Sequence, residues 1–191
     1  MIETIGACGL GIAIAALSVA AATRKRRRMQ SHPAPTFVFA DLVGYTALTE
    51  QRGDEAAARM AREFRRTMSE LSRDHGAWQV KSMGDGVMIW ASDAGRAVAL
   101  AARTVEEVGT RADLLPVRVG VHTGAAVMRG CDWYGGAVNL AARLADEAEP
   151  NEALISAATR AAVAGGTDAL AGRQELSLRG VGQPVSAWRL A

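Results

Sequence analysis

Trp78-Gln79-Val80-Lys81-Ser82-Met83-Gly84-Asp85-Gly86-Val87-Met88-Ile89-Trp90-Ala91 is the stretch on which the fold turns. Two short apolar segments, Trp78–Met83 and Val87–Ala91, are joined across Gly84-Asp85-Gly86. Glycine beside aspartate between β-prone runs predicts a tight hairpin. An amphipathic helix is expected on either side of it. From about Glu55 to His75, residues Ala57, Met60, Ala61, Phe64, Met68 and Leu71 recur on one helical face, and Gly76 follows as a stop signal. From Asp93 to Val108 a second helical pattern runs.

Further out, Thr36–Ala40 reads as a buried strand ending at Asp41, and Leu115–His122 alternates Val117, Val119 and Val121 as a strand does. The core order is strand, helix, strand, strand, helix, strand. That is an α+β class fold with a ferredoxin-like βαββαβ core. C-terminal additions follow: a helix over Ala137–Ala148, a strand over Ala153–Ser156 leading into a short helix, and a last strand pair over Gln174–Arg179 and Val185–Leu190.

Towards the N-terminus the pattern changes. From Ile5 to Ala22 there is neither charge nor proline, near the roughly 20 residues that cross a bilayer as a helix. Arg24, Lys25, Arg26, Arg27 and Arg28 follow. Positive charge behind the apolar run predicts a single transmembrane helix with everything after Arg24 in the cytoplasm. Residues 1–28 are thus expected to be a membrane anchor with its basic stop-transfer run. Residues 29–35, broken by Pro33 and Pro35, are a linker, and 36–191 are the globular domain. The expected location is the cell membrane, single-pass.

Composition narrows the function. The chain has 191 residues, 49% of them hydrophobic, enough for a buried core. Net charge is +2, and removing the five-residue basic run from 22 basic residues leaves 17 against 20 acidic ones. The domain itself is slightly acidic, which argues against a nucleic-acid partner. The two cysteines, Cys8 and Cys131, make no disulfide framework and no metal-binding spacing.

Asp41 closes a buried strand and Asp85 sits at a hairpin tip. Alone, each reads as a turn residue. Together, on adjacent antiparallel elements, they offer hard oxygen donors suited to Mg²⁺ or Mn²⁺. The surrounding residues carry a resemblance. Phe39-Ala40-Asp41-Leu42-Val43-Gly44-Tyr45-Thr46 resembles the first metal motif of class III adenylyl and guanylyl cyclases, and Lys81-Ser82-Met83-Gly84-Asp85-Gly86 resembles the second. Arg118 to Gly124 is similar to the strand that follows, and Asp132 to Arg143 to the substrate and transition-state motif. The four motifs stand in family order from Thr36 to Leu190.

The resemblance implies an adenylate cyclase. It converts ATP into 3′,5′-cyclic AMP and pyrophosphate by attack of the ribose 3′-oxygen on the α-phosphorus. Two Mg²⁺ or Mn²⁺ ions per site are implied, held by Asp41 and Asp85 with the backbone carbonyl of Leu42 as a further ligand. Asn139 is implied to orient the ribose. Arg143, four residues on along the same helix, is implied to meet charge on the α-phosphate. Lys81 and Asp132 take the purine-reading positions. A donor for N1 and an acceptor for the 6-amino group match adenine, and guanine reverses both. Arg179 is a candidate for the terminal phosphates, as is Arg129. In the family each site draws the aspartates from one protomer and the purine and Asn–Arg pairs from the other, so a homodimer is implied. The alternatives are a catalytically silent nucleotide-binding regulatory module, or a guanylate cyclase. A cyclic-dinucleotide synthase is disfavoured, since its Gly-Gly-Asp/Glu-Glu-Phe signature does not occur.

Overall fold

The computed structural model describes residues 34–163 and 170–190. The expected anchor and most of the expected linker lie outside these residues. Among the described residues, no helix is long and apolar enough to cross a membrane.

Nine strands and four helices are described. In chain order they are β1 (Thr36–Leu42), α1 (Tyr45–Asp74), β2 (Trp78–Met83), β3 (Gly86–Ala91), α2 (Ala94–Gly109), β4 (Val117–Thr123), β5 (Val127–Arg129), β6 (Asp132–Tyr134), α3 (Gly136–Glu147), β7 (Glu152–Ser156), α4 (Ala157–Ala162), β8 (Leu170–Leu176) and β9 (Val185–Leu190). Seven strands make one sheet in the order β2-β3-β1-β4-β7-β9-β8, and β5 and β6 form a separate hairpin. The first four strands with their two helices have the ferredoxin-like order expected from sequence. β4 and β7 pair in parallel and the other strands of the sheet pair antiparallel.

The period-2 side-chain rule explains the layers. On β1, Val38, Ala40 and Leu42 enter the main core with Phe64, Met68 and Leu71 of α1 and Leu100 of α2. Phe37 and Phe39 point the other way and pack with Ala137, Val138 and Ala141 of α3. Val87 and Ile89 of β3 and Val117, Val119 and Val121 of β4 join the first core, while Met88 joins the second. The central strands are therefore covered on both faces. The α3 face is the one that collects Asp41, Gly86, Arg118 and Gly120.

Three details depart from the sequence expectations. The first helix begins at Tyr45 rather than Glu55, because Gly53 at φ 79°, ψ 167° breaks its axis without ending it. The hairpin β5–β6 adds two strands that the sequence pattern does not mark, since three-residue strands carry almost no periodicity. The penultimate strand runs over Leu170–Leu176 rather than Gln174–Arg179, which leaves Arg179 in a turn.

Candidate active site

Asp41 is placed by register. β1 and β3 pair so that Asp41 stands opposite Gly86, the residue after Asp85. On its other side Asp41 stands opposite Arg118 of β4. The β2–β3 connection has only Gly84 and Asp85 between the paired residues Met83 and Gly86. Gly84 has φ 67°, the left-handed value that a II′-type turn requires at its first central position and that glycine adopts without strain. The tight turn thus presents Asp85 beside the end of β1. A Cβ on Gly86 would lie 2.9 Å from Asp41 Oδ1, so the missing side chain is the space the carboxylate fills.

The carboxyl of Asp41 is held above the usual carboxylate range. Burial is the main cause, the Arg118 hydrogen bond opposes it, and the charge of Asp85 adds to it. Two partly buried carboxylates repelling each other are a donor set that a divalent cation would stabilise. All their donor atoms are hard oxygens, as Mg²⁺ and Mn²⁺ prefer. Among the described residues, no group of three or more His, Cys, Asp or Glu converges. Two carboxylates leave coordination positions for a phosphate-bearing ligand, which is how Mg²⁺ is commonly bound. The residues present therefore fit the metals. Leu42, the remaining implied ligand, ends β1 with its side chain buried.

Asp41, Lys81, Gly86, Val138, Asn139 and Asp146 share the lining of one cavity of about 360 Å³. Lys81 Nζ donates to Asp132 Oδ2 at 2.7 Å, and Asp132 Oδ1 accepts from the Trp133 amide at 2.8 Å. The Lys81 bond, with the Trp133 amide assisting, holds the carboxyl of Asp132 below the usual range. Lys81 and Asp132, the residues the resemblance implies for the purine, are thus brought together by β2 and the β5–β6 hairpin. Asn139 is exposed on the first turn of α3. Arg143 lies one turn on and does not line the cavity. Its guanidinium leans on the turn after β8, where a Cβ on Gly180 would lie 3.5 Å from Arg143 Nη2. Arg179, in the same turn, is exposed and outside the cavity lining, as is Arg129 on β5.

Arg118, from the third of the four motifs, joins this site as well. Arg118 Nη2 donates to Asp41 Oδ2 at 2.9 Å, and its Nη1 donates to the Asp146 carbonyl at 3.1 Å. The sequence held half of the signal: alternation with Val117 and Val119 sets the face of Arg118, while only the β1–β4 register sets Asp41 beside it.

Residues 27–190 match the family described as the adenylate and guanylate cyclase catalytic domain. An adenylate cyclase of Streptomyces griseus is 36% identical over 124 residues, covering 65% of this chain and 31% of that protein. The chain spans about a third of the length of the curated relatives it resembles. A solved structure of adenylate cyclases from Trypanosoma brucei in their monomeric state has a TM-score of 0.77 at 22% identity, covering 83% of this chain and 88% of that one. The guanylate cyclase domain of RhGC from Catenaria anguillulae in complex with GTP has a TM-score of 0.71 at 18% identity, covering 84% and 97%. At these identities the likeness in structure is one of fold.

Proposed function

The chain belongs to the adenylate and guanylate cyclase catalytic domain family, and we propose that it is an adenylate cyclase that makes 3′,5′-cyclic AMP and pyrophosphate from ATP. The observation that carries this reading is the Lys81–Asp132 pair, a donor and an acceptor held together at 2.7 Å by β2 and the β5–β6 hairpin. A purine edge that replaces their mutual bond meets a donor at Lys81 and an acceptor at Asp132. Adenine supplies N1 to the first and its 6-amino group to the second. Guanine brings N1–H and a carbonyl to the same two groups and leaves both mismatched, which is how a hydrogen-bonding site rejects an analogue.

Asp41 and Asp85, with the Leu42 carbonyl, would hold two divalent cations. When bound, Mg²⁺ or Mn²⁺ would supply positive charge to acidify the ribose 3′-hydroxyl and to offset charge on the pyrophosphate leaving group. Asn139 orients the ribose so that the 3′-oxygen lines up with the α-phosphorus. Arg143 places a permanent positive charge where negative charge builds on the α-phosphate. Both reactants belong to one nucleotide, so the residues act mainly by positioning.

The site is completed by a second copy of the chain. The support is twofold. Arg143 leans on the turn after β8 and stays outside the cavity of its own chain, although Lys81 and Asn139 line it. Trp78, Met83, Val127, Met128 and Tyr134, on the neighbouring elements β2, β5 and β6, are 44–55% exposed, an apolar surface that an identical partner would cover. The uncharged run Ile5–Ala22 and the basic run after it further support a membrane anchor with the catalytic domain in the cytoplasm. Resistance of the sedimented chain to carbonate extraction tests that location.

Incubating the purified chain with Mn²⁺ and either ATP or GTP tests the activity. Cyclic AMP from ATP, with cyclic GTP far lower, is expected. Preference for GTP would make it a guanylate cyclase, and no cyclic product from either would leave a silent nucleotide-binding module.

A further inference from the structure

Arg118 stands directly opposite Asp41 across the β1–β4 ladder, and its guanidinium already occupies one oxygen of that carboxylate at 2.9 Å. Both side chains are only about three-tenths exposed, so the pair is shielded from bulk salt. We propose that Arg118 is the internal counter-ion of the metal site: it holds Asp41 while the site has no cation, and a divalent ion must compete with it to load. This rests on Asp41 and Asp85 being the metal ligands, as proposed above.

The geometry argues for an occupant that yields. Arg118 spends Nη2 on Asp41 and Nη1 on the Asp146 carbonyl, but its Nε–H is buried with no acceptor. A guanidinium kept in place for stability alone would be expected to satisfy all its buried donors. The other carboxylate oxygen of Asp41 lies over Gly86, on the side of Asp85. A cation bridging the two aspartates would therefore sit within a few Å of the fixed positive charge on Arg118. At that range, even with strong screening, one unit charge lowers the affinity for a divalent ion about tenfold. A structural ion pair makes the opposite forecast. Removing its arginine would disorder Asp41 and weaken metal binding.

The test reads metal binding without catalysis. Mn²⁺ is titrated into the full chain with no nucleotide, and free hexaaqua Mn²⁺ is followed by electron paramagnetic resonance. Arg118→Gln should bind Mn²⁺ about tenfold more tightly than the unmodified chain, and adding Asp41→Asn should abolish the gain. Circular dichroism melts establish that each variant is folded. Arg118→Met, which keeps the stem and removes the charge, takes its place if Arg118→Gln does not fold. Equal or weaker Mn²⁺ binding in a folded Arg118 variant overturns the proposal. If the unmodified chain still binds Mn²⁺ with α,β-methylene-ATP in an Asp41-dependent way, the metal-site reading survives that result. If neither protein binds Mn²⁺ with or without the analogue, the metal site and the counter-ion fall together.

Discussion

A single methyl group at residue 86 would reach the carboxylate of Asp41. The Cβ of Gly86→Ala would stand 2.9 Å from Oδ1, closer than van der Waals contact allows. Asp41 must then rotate, and its bond to Arg118 on the other side leaves it little room. Gly86→Ala should keep the fold, because the strain relaxes through one side chain, yet lower kcat/KM by about 100-fold, as displacements near 1 Å do at positioned sites. A steady-state assay beside a thermal melt checks both halves. An equal loss of stability and activity would show that the glycine serves the hairpin and not the carboxylate.

At the scale of the element, α3 depends on one glycine beneath it. A Cβ on Gly120 of β4 would lie 2.3 Å from the Ala141 carbonyl oxygen and 2.3 Å from the Ala145 nitrogen. These are backbone atoms and cannot swing aside. The helix can lie this close to the sheet only over glycine, and it carries Asn139 and Arg143. Gly120→Ala should destabilise the domain by about 3 kcal/mol, lowering Tm by roughly 8 °C. Activity should fall even well below the new Tm, because α3 is lifted.

Two residues further along β4, His122 lies with Nδ1 2.8 Å from the Ser156 hydroxyl, and burial pushes its pKa down to about 4. Its folded pKa is below the unfolded value near 6.5, so the unfolded chain takes up the proton first. Its contribution to stability is full above pH 6.5 and is lost as pH falls towards 4. The loss should be on the order of 2 kcal/mol, allowing for partial exposure. Denaturant titrations at pH 7 and pH 4.5 should show this drop, and His122→Asn should flatten it.

At the scale of the whole molecule, the proposed division of labour between two chains has a genetic form of test. Asp85→Ala and Asn139→Ala should each be nearly inactive alone. Mixed and allowed to exchange partners, they form one intact site in each mixed dimer, so activity should recover to about a quarter of the unmodified level. Giving the two variants different affinity tags and co-purifying through one of them shows whether mixed dimers are present. Mixed dimers without recovery would place each site within one chain.

Local pattern reached far into this protein. The hairpin Trp78–Ala91, the buried strand before Asp41 and the two flanking helices were all legible, because side-chain period and the Gly84 turn are properties of adjacent residues. The candidates Asp41, Asp85, Lys81, Asp132 and Asn139 came from the resemblance, which contiguous motifs carry. The short hairpin β5–β6 was not legible, having too few residues to show a period. Nor could the sequence place Arg118 against Asp41, turn Arg143 towards Gly180, or set α3 down on Gly120. Those relations join residues 21 to 77 positions apart, and only the strand order β3-β1-β4 and the packing of α3 across it decide which side chains meet.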